Sequence, residues 1–240
     1  MLARTVPVTT LLVREVRRAT PRTRLLRLDA GASGFVYAAG QAVMAGLHGS
    51  PLRKPYSIAS APAESERRGF IELLVQVDDS GGPDPHLELA THGTPLDLEG
   101  PFGTFTLPPL GRGARILLVG GGTGIAPLRS MLVQALDTGM VPIAQVIYSA
   151  RTVDELAYRD ELEALAQDGR ITLTLTVTRE EGAWTGRRGR IDRELLATAL
   201  SGPDTWCLVC GPPALVSDVR AALAALDVPP DRVGVERYDG

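Results

Sequence analysis

The segment LLVGGGTGIAP, residues 117–127, constrains the fold of this chain more than any other. An apolar run leads into a cluster of glycines, and a sequence with helical periodicity follows near Ala126. Because glycine has no Cβ atom, such a loop approaches a ligand closely and adopts positive φ. The free N–H groups and the positive dipole end of the helix then favour a bound pyrophosphate. We therefore predict a phosphate-binding loop between a buried strand and a helix, with a tight turn that binds no ligand as the alternative.

The loop departs from the common dinucleotide fingerprint. Read as G-x-G-x-x-G from Gly122, the pattern places Pro127 where the third glycine would stand. Proline suits the first turn of a helix, where its missing N–H is not needed. Thr123 adds a hydroxyl donor to the loop. The sequence thus predicts a variant phosphate-binding loop built on four glycines, namely Gly120, Gly121, Gly122 and Gly124.

The second half of the chain alternates between strand and helix patterns. The predicted strands are 114–121, 144–151, 171–179, 205–211 and 232–238, and the predicted helices are 126–139, 154–169, 191–200 and 213–227. This alternation predicts an α/β domain with a parallel sheet and helices on both faces.

The first half of the chain consists of short alternating or apolar runs separated by Gly, Pro and Ser, a pattern that predicts an antiparallel β-barrel. Residues 9–20 and 23–30 read as a hairpin with its bend at Thr20-Pro21. The segment 86–90 is the one short helix that we predict there. We place the boundary in the loop 106–114, which gives domains of residues 1–109 and 110–240.

Composition excludes several function classes. A net charge of −3 argues against a nucleic-acid binder, which usually has a concentrated basic face. No apolar run approaches the roughly 20 residues that a membrane span needs. The Arg-rich first 28 residues read as part of the first hairpin rather than as a transit peptide. We expect a soluble, cytoplasmic protein.

The two cysteines suggest neither a metal site nor a disulfide. A zinc site or an iron–sulfur cluster needs more ligands than Cys207 and Cys210 supply. Because side chains alternate along a strand, the two thiols should lie on opposite faces of the sheet. His48, His86 and His92 are scattered without ligand spacing, and we predict no metal.

Five motifs in order give the chain a family resemblance. They are KPYSIAS (54–60), GPFGTF (100–105), GGGTGIAP (120–127), CGPP (210–213) and ERY (236–238). Together they resemble the ferredoxin–NADP⁺ reductase superfamily, over about residues 8–238. The resemblance implies an N-terminal β-barrel that binds a flavin and a C-terminal domain that binds NAD(P)H.

The resemblance also implies roles for the flavin-binding residues. Tyr56, after Pro55, would stack on the isoalloxazine ring, and Ser57 would donate a hydrogen bond near its reactive N5. Lys54 stands where the family has a phosphate-binding arginine. Lysine keeps the charge but loses the planar fork. Arg53 should point to the opposite face of its strand and so not replace it. Further predicted flavin contacts are Val75, Val77, Gly81, Gly82, Asp84 and Tyr238.

Asp84 marks a second departure from the family. It stands where relatives place a hydroxyl that contacts the flavin diphosphate, and a carboxylate there repels phosphate unless it turns away or caps the following helix. We predict FAD as the cofactor, and this departure leaves FMN or a loosely held flavin as alternatives.

The nucleotide domain carries the remaining predicted site residues. By resemblance, Cys210 lies near the nicotinamide, and Glu236 approaches the flavin edge; with Ser57 they form the predicted catalytic set. The predicted NAD(P)H contacts are Gly121, Gly122, Thr123, Gly124, Pro127, Arg151, Arg179, Cys210, Gly211 and Pro212. Arg151 and Arg179 favour NADPH slightly, whereas Glu180 and Glu181 argue for NADH.

The resemblance predicts a monomeric flavin-dependent NAD(P)H oxidoreductase that passes electrons to a separate protein, such as a ferredoxin or an oxygenase component. The first alternative is an NAD(P)H:flavin reductase that releases reduced flavin. The second is a regulatory flavoprotein without turnover.

Overall fold

The computed structural model describes residues 7–31, 33–77, 84–141, 144–179, 182, 184–200, 202 and 204–238. Two six-stranded sheets organise the protein. The first sheet is antiparallel, and its strands are β1 (Val8–Thr20), β2 (Thr23–Asp29), β3 (Ala42–Leu47), β4 (Lys54–Ser57), β5 (Phe70–Gln76) and β6 (Pro95–Phe102). The predicted hairpin is confirmed, since β1 pairs with β2 up to Thr20 and Thr23.

The first sheet closes into a barrel. Its strand order is β4-β3-β6-β1-β2-β5, so β4 and β5 are the two edges. Ile58 bridges Leu73, and the Ala59 N–H donates to the Glu72 carbonyl at 2.8 Å. These contacts join the two edges directly after β4. The enclosed core is apolar, with residues such as Leu26 and Ile71 fully buried.

A helix that the sequence did not predict follows the closure. Helix α1 (Pro62–Arg68) begins with proline and ends at Gly69, which has a φ of 72°. Its buried residues are Glu64 and Ser65, so it lacks the apolar stripe on which a sequence-based prediction depends. The predicted helix at 86–90 is only a 3₁₀ turn, Leu87–Leu89.

The second sheet is parallel, as predicted. Its strands are β7 (Ile116–Gly121), β8 (Ala144–Ala150), β9 (Ile171–Val177), β10 (Arg187–Arg188), β11 (Trp206–Gly211) and β12 (Val233–Arg237), in the order β10-β9-β8-β7-β11-β12. Its helices are α2 (Ile125–Asp137), α3 (Arg159–Gln167), α4 (Arg193–Ala199) and α5 (Pro213–Ala224). The two-residue β10 was not predicted, because two residues carry no periodicity.

Helix α3 is shorter than the predicted helix 154–169. A 3₁₀ turn covers Val153–Glu155, and α3 begins only at Arg159. Between them, Tyr158 has a left-handed backbone with φ of 59°. Its hydroxyl donates to Glu72 of the barrel at 3.0 Å. The interruption therefore coincides with a contact between the two domains.

The two cysteines lie on opposite faces of the parallel sheet, as predicted. Cys207 and Cys210 are both free and buried. Cys207 packs in the cluster beneath α4 and α5, and Cys210 in the cluster beneath α2 and α3, on the opposite face of the sheet. None of the helices that the structure describes combines the length and apolar character needed to cross a lipid bilayer.

Candidate active site

The glycine loop connects β7 to α2 through a 3₁₀ turn at Gly122–Gly124. Of its four glycines only Gly122 has a positive φ, of 56°. At Gly124 the requirement is space, because a Cβ atom there would lie 2.4 Å from the Cys210 carbonyl oxygen. Such a contact would force the loop to move. Gly124 is therefore required for the loop to pack against β11, and this requirement does not depend on a ligand.

Two tyrosine hydroxyls hold the loop from the side. Tyr148, buried at the carboxyl end of β8, donates to the Gly122 carbonyl at 3.0 Å and accepts from the Ala157 N–H at 3.2 Å. Tyr238 donates to the Gly121 carbonyl at 2.5 Å. Tyr148 was not among the site residues predicted from the sequence. Its position near the carboxyl end of a parallel strand, where ligands of such sheets bind, is the signal that identifies it.

A cavity of about 570 Å³ opens beside the loop. This volume lies within the range of small-molecule and cofactor sites. Six predicted NAD(P)H residues line it, namely Gly121, Gly122, Thr123, Arg151, Arg179 and Pro212, together with Tyr238. The backbone N–H of Arg179 donates to the backbone carbonyl of Arg151 at 2.8 Å. The two arginines are therefore neighbours just beyond the carboxyl ends of β8 and β9.

Four predicted nucleotide contacts do not line this cavity: Gly124, Pro127, Cys210 and Gly211. Pro127 is buried in the first turn of α2, and the other three pack on one another where β11 meets the loop. The sequence analysis also missed the barrel side of the cavity, which includes Thr20, Arg22, Thr23, Leu74 and Gln76. No local pattern marks these residues, because they reach the cavity only through packing of the barrel on the sheet.

The predicted catalytic residues meet at the junction of the domains. The Ser57 hydroxyl donates to Glu236 Oε2 at 3.5 Å, and the Cys210 thiol donates to the same oxygen at 3.8 Å. Burial raises the pKa of Glu236, so it keeps a proton at higher pH than an exposed carboxyl. Burial and the nearby Glu236 raise the pKa of the Cys210 thiol as well. The site can therefore hold a proton at Glu236, and Cys210 is not a thiolate nucleophile.

The two departures from the family pattern pair with each other. The Lys54 ammonium forms an ion pair with the Asp84 carboxylate, whose side chain is almost fully buried. The other Asp84 oxygen accepts from the His86 N–H at 2.7 Å. His86 Nδ1 in turn lies 3.2 Å from Glu88 Oε1. The positive charge of Lys54 is thus already shared with a carboxylate.

The other predicted flavin residues are placed as follows. Tyr56 is half-buried and packs on the barrel core. The side chain of Val75 is fully buried in that core and so is not available to a ligand, whereas Val77 is half-buried just beyond β5. Arg53 and Lys54 contact different carboxylates, and the Arg53 guanidinium lies 3.4 Å from Asp97. Gly81 and Gly82 lie outside the described residues.

This arrangement fits a flavin ring better than a flavin diphosphate. Ser57, Cys210 and Glu236 converge at the end of β4, next to the half-buried Tyr56. The cation predicted to bind the flavin phosphate, Lys54, is paired with Asp84. The glycine loop and its cavity fit the pyrophosphate and ribose of a dinucleotide.

Comparisons with known proteins agree with this assignment. Residues 11–107 match the family described as an oxidoreductase FAD-binding domain, and residues 118–221 match an oxidoreductase NAD-binding domain. The chain is 38% identical over 235 residues to ferredoxin–NADP reductase B of Sorangium cellulosum (strain So ce56), covering 93% of this chain and 95% of that protein. A two-domain flavoprotein reductase is thus the class that fold and site define, and the chain belongs to the ferredoxin–NADP⁺ reductase superfamily.

Two further relatives extend the comparison. The reductase component of propane 2-monooxygenase from Mycolicibacterium goodii is 30% identical over 238 residues, covering 93% of this chain and 66% of that protein. The structure of an Amycolatopsis cytochrome P450 reductase superposes with a TM-score of 0.82 at 26% identity, covering 98% of this chain and 71% of that one. The protein is an NAD(P)H-dependent flavoprotein reductase, and its cofactors are FAD and NAD(P)H.

Proposed function

We propose that the protein takes electrons from NAD(P)H through FAD and delivers them to a separate acceptor protein, either a ferredoxin or the oxygenase component of a multicomponent system. The convergence of Ser57, Cys210 and Glu236 across the two domains, beside the nucleotide cavity, is the observation that carries this proposal. The names of the Sorangium and Mycolicibacterium relatives support the two acceptor classes.

In this proposal the residues of the chain position the cofactors. The residues of the barrel would hold FAD, which would supply the redox chemistry between NAD(P)H and the acceptor. Tyr56 would pack against the flavin ring, and Ser57 would donate a hydrogen bond near its reactive nitrogen. Cys210 would position the nicotinamide, and Glu236 would lie beside both groups, where burial raises the pKa of its carboxyl.

We further propose NADPH as the preferred donor. The 2′-phosphate of NADPH needs cations, and Arg151 and Arg179 lie side by side at the edge of the cavity. Arg190 lines the same cavity. A bidentate arginine contact is well suited to a phosphate group.

Anaerobic titration tests both proposals together. FAD-loaded protein is mixed with NADPH or NADH, and loss of the oxidised flavin absorbance is followed. We expect both nucleotides to reduce the flavin and NADPH to do so at lower concentration. Reduction by neither nucleotide would overturn the proposed function, whereas a clear advantage of NADH would overturn only the donor preference.

A second candidate is an NAD(P)H:flavin reductase that releases its reduced flavin. The ion pair between Lys54 and Asp84 favours it, because this pair weakens the grip on a flavin phosphate. Gel filtration separates the two candidates: FAD that elutes with the protein supports the first, and colourless protein with saturable flavin kinetics supports the second.

The acceptor and the assembly need their own measurements. We propose a monomer with domains of residues 1–109 and 110–240, acting in the cytoplasm. Light scattering after gel filtration measures the mass, and limited proteolysis locates the domain boundary.

The acceptor class is identified by adding a ferredoxin and measuring whether NADPH reduces it only in the presence of this protein.

A further inference from the structure

Arg129 is a buried cation that the proposed chemistry does not use. It lies in α2, five residues beyond Gly124 of the glycine loop, and its side chain is only 7% exposed. Its guanidinium donates to Glu64 of α1 through Nη1 at 2.9 Å and Nη2 at 3.2 Å. Its Nε donates to Glu161 of α3 at 2.9 Å. Arg129 therefore ties α2 to one helix from each domain.

A further contact joins Arg129 to the segment that follows β4, the strand proposed to bind the flavin. Its Nη1 also donates to the carbonyl of Ala59 at 2.9 Å, two residues beyond Ser57. The neighbouring Ser130 hydroxyl donates to the carbonyl of Ser60 at 2.6 Å. Arg129 and Ser130 are consecutive residues of α2, the helix that begins at the glycine loop. Their side chains donate to the consecutive carbonyls of Ala59 and Ser60, directly after β4.

The surroundings of Arg129 reinforce this connection. The Arg129 guanidinium lies 5.0 Å from the centre of the Tyr158 ring, and the Tyr158 hydroxyl donates to Glu72 in the barrel. Glu72 is paired with Arg27 at 2.8 Å. The charged groups around Arg129 are therefore joined in one network that crosses the domain junction.

We propose that Arg129 is a positioning residue for hydride transfer, which sets the distance between the nicotinamide held by the glycine loop and the flavin held by the strand that carries Ser57. This inference rests on the proposed function. Its physical basis is that hydride transfer requires the two rings at close approach, and a misplacement of about 1 Å can lower a rate about 100-fold. Burial restricts the guanidinium to one arrangement, and its planar fork fixes two partners at once.

The test uses FAD-loaded protein carrying Arg129→Met or Arg129→Lys. We expect the limiting rate of flavin reduction by NADPH in single-turnover experiments to fall about 10- to 100-fold in the methionine variant. The dissociation constants for FAD and NADPH should change less than about threefold, because Arg129 lies in neither binding site. The lysine variant keeps the charge without the fork and should lie between methionine and the unaltered protein.

The matched control is Arg67→Met. Arg67 of α1 pairs with Asp137 of α2 at 2.8 Å, so it joins the same two helices, but its side chain is 59% exposed. Exposed pairs contribute little, and we expect no change in the limiting rate. A folded Arg129→Met protein that reduces FAD as fast as the Arg67→Met protein would overturn the proposal.

Hydrogen exchange gives a readout that does not depend on turnover. In Arg129→Met, the amides of residues 58–60 and 122–126 should exchange at least about tenfold faster than in Arg67→Met, while the barrel amides of β1 keep their rates. Unchanged exchange in both segments would refute the inference even if the unaltered protein showed no reduction by NADPH. If Arg129→Met does not fold, the same comparison with Arg129→Lys decides the question.

Discussion

The predicted sites for the nucleotide pyrophosphate and for the flavin phosphate are built differently. The glycine loop offers backbone N–H groups at the start of α2 and depends on close packing between Gly124 and Cys210. The barrel offers a side chain, Lys54, whose charge is shared with Asp84. A backbone site is fixed by the fold and does not depend on a counter-ion, whereas a side-chain site can be weakened by one substitution nearby. We therefore expect the nucleotide site to be sensitive to shape and the flavin phosphate site to be sensitive to charge.

The largest expected effect is on the backbone site. In Gly124→Ala, the new Cβ atom would lie 2.4 Å from the Cys210 carbonyl, so the loop must move away from β11. We expect the limiting rate of flavin reduction by NADPH to fall more than about 100-fold, because the nicotinamide would no longer be held beside the flavin. Gly111→Ala is the control, since a Cβ atom there meets nothing within 4 Å. Equal rates in the two variants would show that the packing of Gly124 is not needed.

The second prediction separates backbone from side-chain recognition within the nucleotide cavity. The glycine loop serves NADH and NADPH alike, whereas Arg179 should bind only the 2′-phosphate. Loss of a charged hydrogen bond costs about 1.5–3 kcal/mol, or roughly 10- to 100-fold in affinity. We expect Arg179→Ala to raise the dissociation constant for NADPH by this factor and to leave that for NADH unchanged. An equal loss for both nucleotides would place Arg179 elsewhere in the site.

The third prediction concerns the barrel site. Asp84→Ser removes the carboxylate that pairs with Lys54 and introduces a hydroxyl, so a negative charge no longer competes with a phosphate for the ammonium. We expect FAD to bind about tenfold more tightly in a flavin titration, which corresponds to about 1.4 kcal/mol. Lys54→Arg should tighten binding less, because the pair with Asp84 remains. Asp29→Ser, which changes an exposed carboxylate at the end of β2, serves as the control.

If FAD affinity does not rise in Asp84→Ser, then Lys54 does not contact the flavin phosphate. The salt dependence of binding gives the same distinction independently. Charge-based binding weakens as ionic strength rises, so the salt dependence should be steeper for FAD in Asp84→Ser than in the unaltered protein.

The smallest effect concerns the pH dependence of stability that the buried pair of Glu64 and Arg129 contributes outside both phosphate sites. Burial raises the pKa of Glu64, but the hydrogen bonds and charge of Arg129 outweigh it and lower the pKa below its ordinary value of 4.5. A carboxyl with a lower pKa in the folded protein contributes stability above its unfolded pKa, and this contribution is lost as pH falls through the folded value. The unfolding free energy should therefore decline on acidification below about pH 4.5, and the decline should be shallower in Glu64→Gln. If the unfolding free energies of the two proteins change equally with pH, then the pKa of Glu64 is not lowered in the folded protein.

The sequence predicted those parts of the fold that depend on apolar periodicity. The barrel hairpin and the alternating strands and helices of the second half are of this kind. Helix α1 could not be predicted in this way, because its buried residues are Glu64 and Ser65 and its buried contacts include the Arg129 guanidinium. The shortened α3 escaped prediction for a related reason, since Tyr158 leaves the helical conformation and contacts the barrel.

The same limit applies to the site. The glycine loop has a local signature, and the position of Cys210 followed from the resemblance. Lys54 and Asp84 appeared in the sequence as two separate departures, each of which weakened phosphate binding. The structure shows that they are one ion pair, between residues 30 positions apart. A single sequence contains no signal for such a pair, because neither residue belongs to a periodic pattern that places them together.

The contact between the Tyr238 hydroxyl and the Gly121 carbonyl joins residues 117 positions apart in the chain. During synthesis the glycine loop leaves the ribosome long before Cys210 and Tyr238 exist. Its final shape must therefore wait for β11 and β12, and an early nucleotide would meet an incomplete site. A nascent chain that stops short of Cys210 would be unable to bind NADPH, even though the whole glycine motif had already been translated.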